Sequence, residues 1–175
     1  MMEKNNIILI GMPGAGKSTV GVILAKRLGF HFTDTDLLIQ SREKSRLQKI
    51  IDSKGLDYFR HVEEEVLCNI HLEYNVIATG GSVVYYQQGL STLSQTGHLI
   101  YLQVSLETLS KRIADMGQRG LVMGKNQTFE QLYQERTPLY EQKADLTINC
   151  NNMNAEQVAA TLEQTVNLNW PDLLN

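Results

Sequence analysis

Gly11-Met12-Pro13-Gly14-Ala15-Gly16-Lys17-Ser18-Thr19 follows an apolar run, Ile7-Ile8-Leu9-Ile10, and opens a helical pattern from Val20 to Leu28. The stretch reads G-x-x-x-x-G-K-S in the strand–loop–helix setting that a phosphate-binding loop requires. Glycines let the backbone turn and present N–H groups from Gly14, Ala15, Gly16 and Thr19 to phosphate oxygens. The start of the following helix adds its partial positive charge. Lys17 is placed to reach the β- and γ-phosphates of a nucleotide, and Ser18 to ligate Mg²⁺. A Gly-rich turn that matches by chance is the competing explanation, and the flanking strand and helix argue against it.

The composition narrows the classes. A chain of 175 residues suits one domain with a full core. The hydrophobic fraction of 42% and charged fraction of 20% are those of a globular protein. A net charge of −3 gives no footprint for wholesale nucleic-acid binding. No apolar run has the length of a membrane span. The short polar start, Met1 to Asn6, has the features of neither a signal nor a transit peptide. A cytoplasmic monomer is therefore expected, with neither membrane nor nucleic acid as partner. Cys68 and Cys150 read as reduced thiols, and the four histidines lack metal-ligand spacing.

Strand and helix patterns alternate along the chain. Strands are expected at Asn6 to Ile10, Phe30 to Thr33, Val76 to Thr79, within His98 to Val104, and at Asp145 to Asn149. Helices are expected from the loop to Gly29, from Leu37, from Ser45 to Gly55, through Phe59 to Ile70, around Leu90, from Leu106 to about Ala114, after Thr128, and from Ala155 to Val166. Residues 115–127 are polar and Gly-rich and read as a mobile loop. This alternation predicts parallel βαβ units with helices on both faces of the sheet. Ligands then sit at the carboxyl ends of the strands, where the phosphate loop, Asp34-Thr35-Asp36 and Gly80-Gly81 all fall.

A second set of residues carries chemistry. Asp34 and Asp36, two apart on an extended segment, would face one way, toward the phosphates. One suits Mg²⁺ and the other the orientation of an attacking hydroxyl; a solvated D-x-D turn is the alternative. Arg60, with Glu63 three residues on, fits a surface helix pair as well as a carboxylate clamp oriented by Glu63. Arg112 and Arg119 bracket the start of the polar loop. They fit a lid that closes over a triphosphate, or ordinary solvated charge. Arg136 precedes Pro138 and can be a surface residue or part of a site.

In this order the motifs resemble the shikimate kinase family over most of the chain, from the phosphate loop to about Asn149. The residues that carry the resemblance are Gly11 to Thr19, Phe32-Thr33-Asp34-Thr35-Asp36, Phe59-Arg60 with Glu63, Thr79-Gly80-Gly81, Arg112 with Arg119, and Glu135-Arg136-x-Pro-Leu-Tyr140. The resemblance implies a P-loop NTPase-type three-layer fold over residues 1–175. Its doubly wound parallel sheet would have five strands in the order 2-3-1-4-5. A lid would lie at about 115–127 and a substrate-binding helical region at about 36–72. It implies ATP-dependent phosphorylation of the 3-hydroxyl of shikimate, with Mg²⁺. Lys17 and Ser18 would hold phosphate and Mg²⁺, and Asp34 would support the metal through water. Asp36 would bind substrate hydroxyls as candidate base. Arg60 and Arg136 would clamp the carboxylate, with Gly80, Gly81 and Ser82 around the ring. Arg119 would be the lid residue and Arg112 would pack on adenine. Three positions depart from the family pattern. Ser82 stands where a third glycine is usual, and is expected to place a side chain beside the substrate and restrict the backbone. Gly120 replaces a proline in the lid, and Gln40 replaces an acid. These departures motivate an alternative, a related kinase for another small hydroxy acid or polyol. A nucleotide-binding regulator without catalysis fits less well with the complete set Lys17, Ser18, Asp34 and Asp36.

Overall fold

The computed structural model describes residues 4–116, 123 and 126–174. Five strands form one parallel sheet: β1 (Asn6–Ile10), β2 (His31–Asp34), β3 (Asn75–Ala78), β4 (Gly97–Gln103) and β5 (Leu146–Asn149). Their order is β2-β3-β1-β4-β5, the expected one. In β1, Ile7 to Ile10 are fully buried, because a central strand in a parallel sheet is covered on both faces. That is why the run before the phosphate loop is unbroken in its apolar character.

The connections are helical. Helix α1 (Lys17–Leu28) carries the chain from β1 to the edge at β2. Three short helices, α2 (Thr35–Glu43), α3 (Leu47–Lys54) and α4 (Leu56–Cys68), lead to β3. A 3-10 turn (Val83–Tyr85) and α5 (Gln87–Thr96) lead to β4. Helices α6 (Leu106–Met116) and α7 (Phe129–Lys143) precede β5, and α8 (Ala155–Asn169) follows it. Helices α1 and α8 pack together, as do α4 and α5, while α7 packs on β4 and on the 3-10 turn. A small separate core of Ile39, Ile50, Phe59 and Val62 closes α2, α3 and α4 on one another, within the expected helical region 36–72.

Local chemistry sets the helix ends. Gly29 ends α1 at φ 74°, where a side chain would be strained. Thr128 and Gln131 form a reciprocal capping box at the start of α7, and Asn154 with Gln157 forms another at α8. The Ser105 hydroxyl accepts from the Thr108 N–H at 3.3 Å, as expected of a cap for α6.

Several boundaries differ from the sequence expectation. Asp36 is not on an extended segment: β2 stops at Asp34, which caps α2, and Asp36 is in that helix's first turn. Asp115 and Met116 belong to α6 rather than to a loop. Residues 117–122, with Arg119 and Gly120, and 124–125 lie outside the described residues. Helix α8 runs to Asn169, beyond Val166. The end of the chain then folds back: Trp170 stacks on His98 of β4 with ring centroids 3.9 Å apart. Cys68 and Cys150 are free thiols, as expected. Among the described residues no helix is long and apolar enough to cross a membrane.

Candidate active site

The carboxyl ends of β1, β2 and β3 open onto a cleft of about 650 Å³. Its floor is the phosphate loop from Pro13 to Thr19. One end is walled by Asp36, Glu63, Gly80, Gly81, Ser82 and Arg136. The other is walled by Arg112 and by residues that follow β5, among them Cys150, Asn154 and Val158. This last wall was not foreseen. The signal lay in the rule that ligands gather at strand carboxyl ends, applied also to the last strand.

The loop is built for an anion. Gly16 takes φ 91° at the start of α1, so the chain turns into the helix with no side-chain cap and no acid in the first turn. The first N–H groups of α1 therefore face the cleft without an internal competitor. Lys17 Nζ donates to the carbonyls of Gly11, at 2.7 Å, and Met12, at 2.9 Å. Burial lowers its pKa to about 8, against the attraction of Asp36 and Asp34. The Ser18 hydroxyl donates to Asp34 Oδ2 at 2.6 Å. Two hard oxygen donors thus sit side by side at the mouth of the loop, a set that fits Mg²⁺, which takes few protein ligands and keeps phosphate oxygens and waters. Arg112 Nη1 donates to the Gly14 carbonyl at 3.1 Å, which places the guanidinium on the loop.

The opposite end is acidic and buried. Asp34 Oδ1 accepts from the Asp36 N–H at 2.9 Å, so the pair is fixed by a helix cap rather than by strand alternation. Burial raises the Asp36 carboxyl to about 7, helped by the charges of Asp34 and Glu63 and opposed by Lys17. Glu63 is itself buried, which pushes its pKa up. The Ser82 hydroxyl, 2.8 and 2.7 Å from its two oxygens, and the Tyr86 hydroxyl at 2.6 Å pull it back toward the ionised form. A Cβ on Gly80 would lie 2.3 Å from Glu63 Oε1 and 3.2 Å from Asp36 Oδ1, so only glycine lets the two acids approach the turn after β3.

Ser82 departs from its expectation. Its hydroxyl is turned into the protein toward Glu63, with 1% of the residue exposed, and its φ of −84° is open to any residue. Arg60 also differs in its partner. Its Nη1 lies 3.7 Å from Asp57, on an exposed face of α4, while Glu63 is engaged by Ser82 and Tyr86. Arg60 is not among the residues that line the cleft. Arg136, by contrast, is buried, with 1% exposed, and takes its place in the cleft wall. Of the two arginines expected to clamp a carboxylate, the structure therefore brings one to the cleft. Tyr85 and Tyr86, which reach Arg136 and Glu63, carry no signal in the sequence, because tyrosines that follow a turn read locally as core; Glu135, quoted there only as part of a motif, bonds Tyr85.

A phosphate loop with a Ser–Asp pair at one end of the cleft, and buried Arg136 with Asp36 and Glu63 at the other, mark a P-loop phosphotransferase. Residues 13–167 match the family model for shikimate kinase, and the chain belongs to the shikimate kinase family. It is 38% identical over 162 residues to the shikimate kinase of Vibrio parahaemolyticus, covering 91% of this chain and 94% of that one. It is 40% identical over 157 residues to that of Clostridium botulinum, covering 87% and 91%. Among solved structures it is similar to shikimate kinase from Acinetobacter baumannii in complex with shikimate, with a TM-score of 0.86, 32% identity, and coverage of 95% and 94%. Thymidylate kinase from Candida albicans, at 16% identity and a TM-score of 0.57, shares the fold alone.

Proposed function

We propose that this protein transfers the γ-phosphoryl group of ATP to the 3-hydroxyl of shikimate, giving shikimate 3-phosphate and ADP. The observation that carries this reading is the pairing, across one cleft, of a complete phosphate loop with buried Arg136 and with Asp36 near neutrality. The family supports it, as do the activity named for the relatives and the shikimate named in the Acinetobacter complex.

The chemistry follows from the residues. The triphosphate lies along the loop, with its terminal oxygens on the N–H groups of α1 and on Lys17. Lys17 must exchange its bonds to the Gly11 and Met12 carbonyls for phosphate oxygens. Ser18 and Asp34 would hold Mg²⁺, which when bound neutralises charge on the β- and γ-oxygens. Arg136 receives the acceptor's carboxylate, and its planar guanidinium matches two oxygens at once. With the acid end fixed there, the acceptor hydroxyl meets Asp36, which takes its proton as the new O–P bond forms and the bond to the β-phosphate oxygen breaks. A base near pH 7 is matched to that transfer. Arg60 completes the clamp by a rotation of its exposed side chain away from Asp57. Arg112 takes the adenine side, Arg119 the phosphates, and Gly80 and Gly81 the ring.

The test is ADP release with Mg²⁺ and ATP, with and without shikimate. Shikimate-dependent release is expected. Release that depends on a different hydroxy acid and not on shikimate would overturn the substrate. No release with any acceptor, in protein that binds ATP, would overturn the transfer itself.

A further inference from the structure

Arg136 is held by a tyrosine outside the cleft wall. The Tyr85 hydroxyl accepts from Arg136 Nε at 3.1 Å and donates to Glu135 Oε1 at 2.5 Å. The guanidinium also lies over the Tyr85 ring, 5.1 Å from its centroid. Glu135 is fixed in turn by Gln127, whose Nε2 donates to its other carboxylate oxygen at 2.6 Å. Because the Tyr85 proton points at Glu135, the lone pairs on that oxygen face Arg136, and an O–H bonded to a carboxylate is a stronger acceptor than one in water. Glu135 and Arg136 are consecutive on α7, so their side chains leave the helix about 100° apart. Tyr85, on the 3-10 turn after Gly81, bridges that gap.

The geometry has a consequence for recognition. An arginine can meet a carboxylate side-on, through Nε and one Nη, or end-on, through both Nη atoms. In this site Nε is turned to Tyr85. On the cleft side, a Cβ added to Gly81 would lie 3.2 Å from Nη1. We infer that Tyr85 is a positioning residue which, braced by Glu135, holds the Nε edge of Arg136 and so fixes the orientation in which the guanidinium meets the acceptor's carboxylate. This inference rests on the role given to Arg136 in the proposed function. The hydroxyl holds Nε, the ring lies against the guanidinium, and Tyr85 acts on the acceptor only through Arg136.

The experiment compares Tyr85→Phe, Glu135→Gln, Glu135→Ala and Arg136→Lys in the full-length chain. It uses shikimate and its methyl ester, which offers no carboxylate. Tyr85→Phe keeps the ring and loses the bridge. It should raise KM for shikimate about tenfold, as expected for loss of one hydrogen bond to a charged group. It should lower the melting temperature somewhat, because the buried Nε loses a partner, and leave kcat, KM for ATP and KM for the ester close to wild type. Glu135→Ala should follow Tyr85→Phe, and Glu135→Gln, which retains an acceptor for the tyrosine proton, should recover most of the loss. An unchanged KM in Tyr85→Phe alongside a raised KM in Arg136→Lys would overturn the inference and leave the clamp standing. An unchanged KM in Arg136→Lys as well would remove the clamp and the inference together. A loss in Tyr85→Phe that is equal for acid and ester would reduce Tyr85 to a structural support and overturn the inference too.

Discussion

Asp36 and Lys17 are shifted toward each other by the same burial, and the shifts set a pH window. Asp36, raised to about 7, must lose its proton to act as base, so kcat/KM should rise with pH through about 7. Lys17, lowered to about 8, must keep its proton to meet phosphate, so kcat/KM should fall above about 8. The profile of the free enzyme should be a narrow bell between these limbs. A flat profile from pH 6 to 9 would remove both groups from the mechanism. The same shift predicts stability. A carboxyl whose folded pKa is raised favours the folded state at low pH, and this contribution is lost as pH rises through the folded pKa. Asp36→Asn should therefore lower turnover by roughly 10²–10⁴. Against wild type it should melt higher at pH 8 and show no such gain at pH 4. The placement of these residues was legible from residue type and order: Lys17, Ser18 and Asp36 line the cleft and Asp34 bonds Ser18 beside it. The partner of Glu63 was not legible. Arg60 at i−3 is the local choice on a helix, but Ser82 and Tyr86 reach Glu63 from across the fold, and contacts at nineteen and twenty-three residues' separation leave no mark in local spacing.

At the scale of elements, Ser82 ties the 3-10 turn after β3 to α4, and the tie is buried. Removing the Ser82 donor takes away one of the two hydroxyls that bond the Glu63 carboxylate among the described residues, the other being that of Tyr86. Ser82→Ala should cost about 1–3 kcal/mol, read as a lower urea midpoint with an unchanged slope. If Ser82 instead met the acceptor ring, the alanine variant would change KM for shikimate and leave the midpoint alone. Elements with strong end signals were read well from sequence: Gly29 closes α1, and Thr128 opens α7 with a full capping box. The misreadings fall where the chain changes geometry in one residue. Asp34 ends a strand and caps a helix at once, so a two-residue period was extended one step too far into α2. The turn Val83–Tyr85 is too short to show any period, yet it carries the tyrosine that braces Arg136.

Across the whole molecule, α8 joins the cleft to the far edge of the fold. Its first turn lines the cleft through Asn154 and Ala155, while its last residue is Asn169. At 1.5 Å per residue the two ends are about 22 Å apart. Beyond it, the only tryptophan stacks on His98, at an interplanar angle of 16°, where β4 begins. Burial lowers the pKa of His98, with Lys4 adding to the effect and Asp145 opposing it. Neutral, half-buried His98 therefore contributes stability at neutral pH that is lost as pH falls through its folded value. Since the tail rests on the same sheet that carries the phosphate loop, residues 1–175 should unfold as one unit. Urea unfolding followed by Trp170 fluorescence and by far-ultraviolet circular dichroism should give coincident midpoints. Mg²⁺ with ATP should raise both midpoints together, by about 2.7 kcal/mol of stability at a hundredfold excess over Kd. A Trp170 transition that precedes the other, and that nucleotide does not move, would make the tail a separately melting segment. The His98 stack would then be a local closure with no part in holding the cleft.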